Sequence, residues 1–369
     1  MTAGAAAGGE RPLVWLIVAD KLGDNAQVRL IAEALPWPCL EKKVAMREPF
    51  VLGKPKVAPS LHHLDAARSD PLEPPWPDLV ITIGRRLSMV ALWIQEQSKG
   101  RTKIVLVGPP KGFLDRFALV VISAQYRLPD RPNVLRLDFP LLRMDEQAIA
   151  AEGRAWAETF APLRRPLIAV MVGGRTKAVR LGPADAAALA SAVAALAARE
   201  GGSLVVTTSR RTPEAVADAL AATLPKDALL HRWRPGGDRN PYRALLALAD
   251  RFVVTGDSVS MLMEVARLGR PLAIYPLPPG GPAGVLLRGL AHLLPPAAHE
   301  RLTTLVRAAA YRLGPVGHYR DLTAIHRLLV SRGAAVWFGQ PFRNPAAPLP
   351  DELPRVVERI VGLFPGGAP

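Results

Sequence analysis

The segment 255–264 has the residue types and spacing best suited to bind a charged ligand. A short apolar run leads into a glycine and then into Asp257 and Ser258, either of which suits the cap of a helix. Free amides at the start of a helix that follows a parallel strand attract anions. Ser260 and Glu264 are four residues apart and therefore share a helix face. The pattern suits a nucleotide, with its phosphate at the amides and its ribose diol on the carboxylate.

The residues of this segment that we assign to the ligand are Asp257, Ser258, Val259, Ser260, Met261 and Glu264. The alternative is an ordinary strand-to-helix turn, in which Asp257 only caps the helix. Glu264 would then be exposed and would pair with Arg267 or Arg270. The segment by itself leaves both interpretations open.

Two other predicted strand ends carry candidate phosphate contacts. Ser209, Arg210 and Arg211 follow an apolar run and precede a helix, and guanidinium groups match phosphate oxygens, often bidentately. Such groups can stabilise the charge of a departing diphosphate without a metal. The alternative is a pair of solvated arginines that cap the helix. Gly173 and Gly174 follow another strand and allow a ligand to approach the backbone closely, although a simple turn explains them equally well.

The composition limits the partners and the chemistry. The 369 residues suggest two domains, and 47 basic against 32 acidic residues give a net charge of +15, which favours phosphate-bearing partners such as nucleotides and anionic lipids. Only 6% of the residues are aromatic, so nucleic acid is not expected as a partner. A single cysteine, no Asp-x-Asp triplet and no His-Glu-x-x-His motif leave no predicted metal site.

The order of apolar segments predicts the fold class. Strand-like and helix-like segments alternate along the chain, which indicates an α/β fold with parallel sheets and helices on both faces. We expect one domain at residues 11–160, a second at 161–340, and a tail with a helix at 341–369. No signal-peptide pattern opens the chain, and no apolar run reaches the ~18 residues that a membrane span needs, so a cytoplasmic location is expected.

Five short motifs follow one another along the chain. They are Gly23-Asp-Asn25-x-Gln27, Ile83-Gly-Arg-Arg86, Val172-Gly-Gly174, Thr208-Ser-Arg-Arg-Thr212-Pro and Thr255-Gly-Asp-Ser-Val-Ser-Met261-x-x-Glu264. Together they resemble the bacterial homologues of the plant mitochondrial fission (elongate-mitochondria) family, which is itself similar to glycosyltransferases of the GT-B type. The resemblance extends over nearly the whole chain and is most specific in the last two motifs.

The resemblance implies a GT-B-like fold, in which two Rossmann-like domains face a central cleft. It also implies that a nucleotide-sugar donor binds the C-terminal domain, that Glu264 accepts hydrogen bonds from the ribose hydroxyls, and that no separate cofactor is used. The first loop of the N-terminal domain would face donor and acceptor, which makes Asp24 and Asp20 candidate general bases. The alternative is that Asp24 merely caps the first helix.

Two functions are consistent with this resemblance. The first is metal-independent transfer of a sugar from a nucleotide sugar to an envelope or lipid-linked acceptor. The second is a catalytically silent scaffold of the same fold that recruits a partner at a membrane. Residues 284–294 and 297–313 mix Leu, Ala and Arg and could lie on an anionic membrane surface. The alternatives are core packing and contact between domains. A peripheral position on the inner face of a membrane is therefore a further expectation.

Overall fold

The computed structural model describes residues 11–19, 22–53, 55–174, 176, 179–236, 239–278, 280 and 320–364. The chain forms two compact α/β units. Unit 1 consists of the described residues up to Arg143 together with those from Asp351 onward, and unit 2 consists of the described residues from Met144 to Pro350. The predicted α/β class with two Rossmann-like halves is confirmed, since each unit has its own parallel sheet.

Unit 1 contains eight strands and four helices among its described residues. The strands are β1 Val14–Val18, β2 Cys39–Lys43, β3 Ala45–Met46, β4 Leu64–Asp65, β5 Leu79–Ile83, β6 Lys103–Val107, β7 Leu119–Ser123 and β8 Val134–Leu137. The helices are α1 Leu22–Ala34, α2 Glu48–Leu52, α3 Gly84–Gln97 and, at the end of the chain, α10 Leu353–Val361. Six strands form one parallel sheet in the order β2-β1-β5-β6-β7-β8, and β3 pairs with β4 in a separate antiparallel pair.

The central strands of unit 1 are apolar on both faces because helices cover both faces of the sheet. In β1, the alternate residues Val14 and Leu16 pack in the same cluster as α1 and α10. Trp15 and Ile17 point to the opposite face and pack in the cluster that contains α3. The period of two along the strand therefore sorts one apolar run into two cores.

Unit 2 contains six strands and six helices among its described residues. The strands are β9 Leu167–Val172, β10 Ser203–Thr208, β11 Leu229–His231, β12 Arg251–Thr255, β13 Leu272–Tyr275 and β14 Val336–Trp337. The helices are α4 Glu146–Phe160, α5 Pro183–Glu200, α6 Glu214–Thr223, α7 Tyr242–Leu248, α8 Val259–Arg267 and α9 Leu322–Ser331. All six strands are parallel, in the order β11-β10-β9-β12-β13-β14.

Two helices lie in a different unit from the one that chain order suggests. Helix α4 packs on α7 of unit 2, and a Cβ at Gly153 would lie 2.7 Å from the Cβ of Ala247, so the two helices approach at a glycine. Helix α10 packs on α1 of unit 1 with Val356 and Ile360 fully buried. Glu352, just before α10, accepts hydrogen bonds from backbone amides that follow β8. The contacts thus divide the chain at Met144 and Asp351, rather than at residues 160 and 340.

Candidate functional site

The strand order of unit 2 places its candidate site between β9 and β12. From β9 the chain moves outward through β10 to β11, and from β12 it moves outward in the other direction through β13 to β14. The direction of the connections therefore reverses between two adjacent parallel strands. In open α/β sheets the loops separate at such a point, and ligands bind there beyond the carboxyl ends of the strands.

Hydrogen bonds join the turns that follow β9 and β12. The Gly173 amide donates to Thr255 Oγ1 at 2.8 Å, and the Gly174 amide donates to Asp257 Oδ2 at 2.7 Å. The Thr255 hydroxyl in turn donates to Asp257 Oδ1 at 2.7 Å. The turn that follows β10 joins the same cluster, because the Thr212 hydroxyl donates to the Gly173 carbonyl. The structure thus brings together three segments that the sequence predicts as separate parts of one site.

Both glycines after β9 are required by protein contacts. A Cβ at Gly173 would lie 2.1 Å from Asp257 Oδ2. A Cβ at Gly174 would lie 2.1 Å from the carbonyl oxygen of Arg211. Real Cβ atoms do not approach oxygen this closely, so any side chain at either position would displace a neighbouring turn. The sequence suggested close approach to a ligand, whereas the structure shows close approach to the turns after β10 and β12.

Asp257 is a buried brace between two strand ends. Only 1% of its surface is exposed, and its two carboxylate oxygens accept from Gly174 and Thr255. Burial raises the pKa of this carboxyl above its ordinary value, and the hydrogen bonds from Gly174 and Thr255 and the charge of Arg211 partly offset that rise. The Arg211 guanidinium lies 3.5 Å from the carboxylate. The predicted role of Asp257 as a helix cap does not match this arrangement, since Ser258 occupies the cap position.

The first turn of α8 presents backbone donors. The helix begins at Val259 after Ser258, as the sequence predicts, and the Ser258 hydroxyl makes no capping hydrogen bond. The first backbone hydrogen bond of the helix runs from the Leu262 amide to the Ser258 carbonyl. The amides of Val259, Ser260 and Met261 therefore donate to no residue within the part of the chain that the structure describes. These three amides can accommodate an anion.

Glu264 lies one turn further along α8 and is held by a tyrosine. The Tyr242 hydroxyl donates to Glu264 Oε2. Burial raises the pKa of Glu264, and the hydrogen bond from Tyr242 and the charge of Arg243 counteract that rise. The predicted alternative of an ion pair does not occur, because Arg267 and Arg270 instead donate to the backbone carbonyls of residues 349 and 247. Sequence spacing could not reveal Tyr242, which lies 22 residues away on another helix.

The turn after β10 is a compact hydroxyl-stabilised loop with two arginines on it. The Ser209 amide donates to Thr212 Oγ1 at 2.9 Å, and the Ser209 hydroxyl lies 3.1 Å from the same oxygen. The Arg211 amide donates to Ser209 Oγ at 3.3 Å. Arg210 is exposed and makes no hydrogen bond or ion pair with any residue that the structure describes. Ser209 thus shapes the loop, Arg211 lies next to Asp257, and Arg210 offers a free positive charge.

A buried histidine that sequence reasoning missed supports the turn after β12. His326, on α9, is 5% exposed, and its Nε2 lies 2.7 Å from the Gly256 carbonyl oxygen. Burial lowers the pKa of His326 to about 4, so the ring is neutral at pH 7 and Nε2–H donates to the carbonyl. A Cβ at Gly256 would lie 2.9 Å from the imidazole ring. No local pattern links residues 70 positions apart, which is why the sequence showed no signal.

The predicted general bases fall where the structure supports no description. Asp20 lies outside the described residues, and Asp24 lies in α1 but its side chain is not among those described. Nearby, the side-chain amide of Asn25 donates to the Ala19 carbonyl at the end of β1. Residues 284–294 and 297–313, predicted as membrane-facing segments, also lie outside the described residues.

Two further observations apply only to the described part of the chain. Its His, Cys, Asp and Glu side chains form no group of three or more that could hold a metal ion. None of its helices is long and apolar enough to cross a lipid bilayer.

Comparison with known proteins gives a family match and distant structural likenesses. The family model described as Mitochondrial fission ELM1 matches residues 23–312. The mitochondrial fission protein ELM1 of Arabidopsis thaliana is 27% identical over an alignment of 220 residues, and the match covers 54% of this chain and 51% of that protein. The match therefore spans about half the length of this curated relative.

Solved structures with a similar arrangement share little sequence with this chain. The crystal structure of Acinetobacter baumannii MurG is 14% identical, with a TM-score of 0.43, and the match covers 95% of this chain and all of that one. The UDP-GlcNAc 2-epimerase of Methanocaldococcus jannaschii is 10% identical, with a TM-score of 0.48 and the same coverage of both chains.

Proposed function

The chain belongs to the mitochondrial fission ELM1 family, and we propose that its second unit binds the diphosphate of a nucleotide sugar. The observation that carries the proposal is the convergence of three strand-end turns at the point where the strand order of unit 2 reverses. Open α/β sheets bind their ligands at this position. The first turn of α8 adds three amides with no described acceptor, and Arg210 adds a positive charge.

We assign a part of the ligand to each group. A phosphate fits at the amides of Val259, Ser260 and Met261, where the helix dipole also favours negative charge. Arg210 can fold over a second phosphate, since no described residue holds its guanidinium elsewhere. Glu264 is the acceptor for a ribose diol, one turn along the same helix. Tyr242 holds one oxygen of that carboxylate and so fixes its orientation.

The reaction that we propose is transfer of the sugar from its nucleoside diphosphate to an acceptor hydroxyl, without a metal. The acceptor oxygen forms a bond to the sugar, its proton passes to the general base, and the bond between the sugar and the diphosphate breaks. The departing nucleoside diphosphate gains negative charge. Preformed amides and a guanidinium stabilise such a charge, because they need no reorganisation during the reaction. Asp20 and Asp24 stay the proposed general bases, and an envelope or lipid-linked acceptor stays the proposed acceptor class.

Calorimetry and thermal unfolding with UDP, GDP, ADP and their nucleosides test the binding step. A ligand present at 100 times its Kd should raise the free energy of unfolding by ~2.7 kcal/mol. Arg210→Ala should weaken diphosphate binding about 10- to 100-fold, the range expected for a charged hydrogen bond, and leave nucleoside binding unchanged. Arg164→Ala is the matched control, because Arg164 is an exposed arginine just before the amino end of β9 and pairs with Asp227.

Some outcomes would contradict the proposal. No heat and no stabilisation with any of these ligands at millimolar concentration would rule out nucleotide binding. Equal loss of diphosphate and nucleoside affinity in Arg210→Ala would make that residue structural.

The ribose role and the chemical step need separate tests. Glu264→Gln should weaken nucleoside binding about tenfold, whereas Tyr242→Phe should weaken it less, because Tyr242 only orients the acceptor. Sugar-transfer assays with a chelator test the metal-independent step, and loss of turnover that magnesium or manganese restores would contradict it. Nucleotide binding without transfer to any acceptor would instead support the catalytically silent scaffold.

A further inference from the structure

Unit 1 carries a small apolar tip at the carboxyl edge of its sheet. Among the described residues the exposed large apolar side chains are Leu40, Val51, Val57, Phe113 and Leu229. Val51, Val57 and Phe113 belong to two segments that touch each other, since a Cβ at Gly112 would lie 3.4 Å from Val57 Cγ1. Leu40 and Leu229 lie instead on the edge strands β2 and β11. We call Val51, Val57 and Phe113 the apolar tip.

The start of α3 anchors the first of these segments. Arg85 Nη2 donates to the Pro55 carbonyl at 2.8 Å. Arg86 donates twice to the Gly53 carbonyl, from Nε at 3.0 Å and from Nη2 at 2.9 Å. In α2 just before it, Phe50 packs against two histidine rings, whereas the next residue, Val51, is 48% exposed. The segment is therefore fixed against the unit while its valines face outward.

The second segment holds an aromatic ring outward at a conformational cost. Phe113 is 37% exposed and has a φ of 56°, in the left-handed region. For a residue with a Cβ this conformation is unfavourable, because the Cβ approaches the following carbonyl oxygen. Within the chain, the Arg116 guanidinium lies 5.9 Å from the centroid of this ring. Strained conformations persist where the surrounding structure holds them, and they are frequent at ligand-binding sites.

Two lysines lie close to the apolar tip in the sequence. Lys56 lies next to Val57, and Lys111 lies two residues before Phe113. Neither makes an ion pair with a carboxylate in the part of the chain that the structure describes. The acidic residues of the two segments are Glu48 and Asp115. Since the whole chain carries a net charge of +15, an acidic surface is the partner that this region favours.

We propose that the apolar tip, with Lys56 and Lys111, docks unit 1 onto an anionic lipid bilayer. Three side chains are far fewer than the 20 to 30 residues per side of a typical stable protein interface. Binding at a bilayer needs no such area, because a few apolar side chains that enter the interface act together with the attraction of lysines to anionic lipids. The proposal does not depend on nucleotide binding in unit 2.

Co-sedimentation of the full chain with vesicles tests the proposal. Phosphatidylcholine vesicles with and without phosphatidylglycerol are compared at low and high salt. The wild type should bind the anionic vesicles, bind neutral ones weakly, and dissociate as salt increases, because salt screens the lysines. Val57→Ser with Phe113→Asn should lower binding about tenfold, and asparagine suits the position since it tolerates a positive φ. Lys56→Gln with Lys111→Gln should lower it about tenfold and weaken the salt dependence.

Leu40→Ser and Leu229→Ser are the matched controls, because these side chains are 50% and 40% exposed outside the tip. Both controls should bind vesicles like the wild type. Circular dichroism of the Val57→Ser, Phe113→Asn variant should show an unchanged fold. Wild type that stays in the supernatant with anionic vesicles would overturn the proposal. Equal loss in the controls, or retained binding in a folded tip variant, would overturn it too, and the exposed tip would then belong to a protein or small-molecule partner.

Discussion

The hydrogen bonds that Asp257 accepts should contribute measurably to the free energy of unfolding. Its carboxylate accepts from the Gly174 amide and from the Thr255 hydroxyl, both at 2.7 Å, in a buried environment. Asp257→Ala removes both acceptors, and each buried donor left without a partner costs about 1–3 kcal/mol. We expect Asp257→Ala to lower the free energy of unfolding by roughly 3 kcal/mol. Asp257→Asn keeps one acceptor oxygen, so its loss should be about half as large.

The same residue predicts a dependence on pH. The pKa of Asp257 is higher in the folded state than in the unfolded state, so folding favours the protonated form relative to the unfolded chain. The stability that this group contributes is therefore fully present below the unfolded pKa and decreases as pH rises through the folded pKa. Asparagine does not titrate. The advantage of the wild type over Asp257→Asn should consequently be largest below the unfolded pKa of ~3.9 and should decrease as pH rises toward neutral.

Chemical denaturation followed by far-UV circular dichroism, at several pH values, measures both effects. Asp218→Asn is the control, because Asp218 is a 60% exposed aspartate of unit 2 that pairs with Arg232 on the surface. It should change the free energy of unfolding by less than about 0.5 kcal/mol. A loss of unfolding free energy in Asp257→Ala no larger than that in Asp218→Asn would contradict the bracing role of Asp257. A difference in unfolding free energy between wild type and Asp257→Asn that grows as pH rises would contradict the expected pH dependence.

Three further predictions concern the same unit. Gly173→Ala should lower the free energy of unfolding by about 1–3 kcal/mol, since its Cβ would lie 2.1 Å from a buried carboxylate oxygen. Gly182→Ala is the control, because the nearest atom to its Cβ would lie at 3.5 Å, and in the same denaturation experiment it should lower the free energy of unfolding far less. Tyr242→Phe should raise the pKa of Glu264 further, because the substitution removes a hydrogen bond that lowers this pKa. As pH rises above the unfolded pKa of ~4.3, the free energy of unfolding of the variant should then fall more steeply than that of the wild type. Parallel pH profiles of the two proteins would contradict this prediction. His326 has a folded pKa of about 4, so stability should fall by about 3 kcal/mol as pH falls from ~6.5 to ~4, and His326→Gln should remove that part of the profile.

The class of the fold and the local form of the site can be predicted from the amino-acid sequence alone. Each βα turn is encoded within about ten residues, by an apolar strand, a glycine or hydroxyl residue and a helix start. Ser258 is the residue before α8 for this reason, and Gly173 and Arg210 follow strands as expected. The family, too, was visible in short motifs, and the family match confirms it.

Which turns meet, and what each side chain contacts, depends on how the whole chain packs. Strand β12 lies next to β9 instead of next to β11, which precedes it in the chain, and this order joins Asp257 to Gly174 across 83 residues. The same strand order brings Tyr242 on α7 to Glu264 and His326 on α9 to the Gly256 carbonyl, each from a helix that is distant in the sequence. Periodicity and capping act within a few residues, whereas strand order depends on the packing free energy of the whole sheet. A local pattern therefore identified Asp257 as important, and only the fold showed that it braces two strand ends.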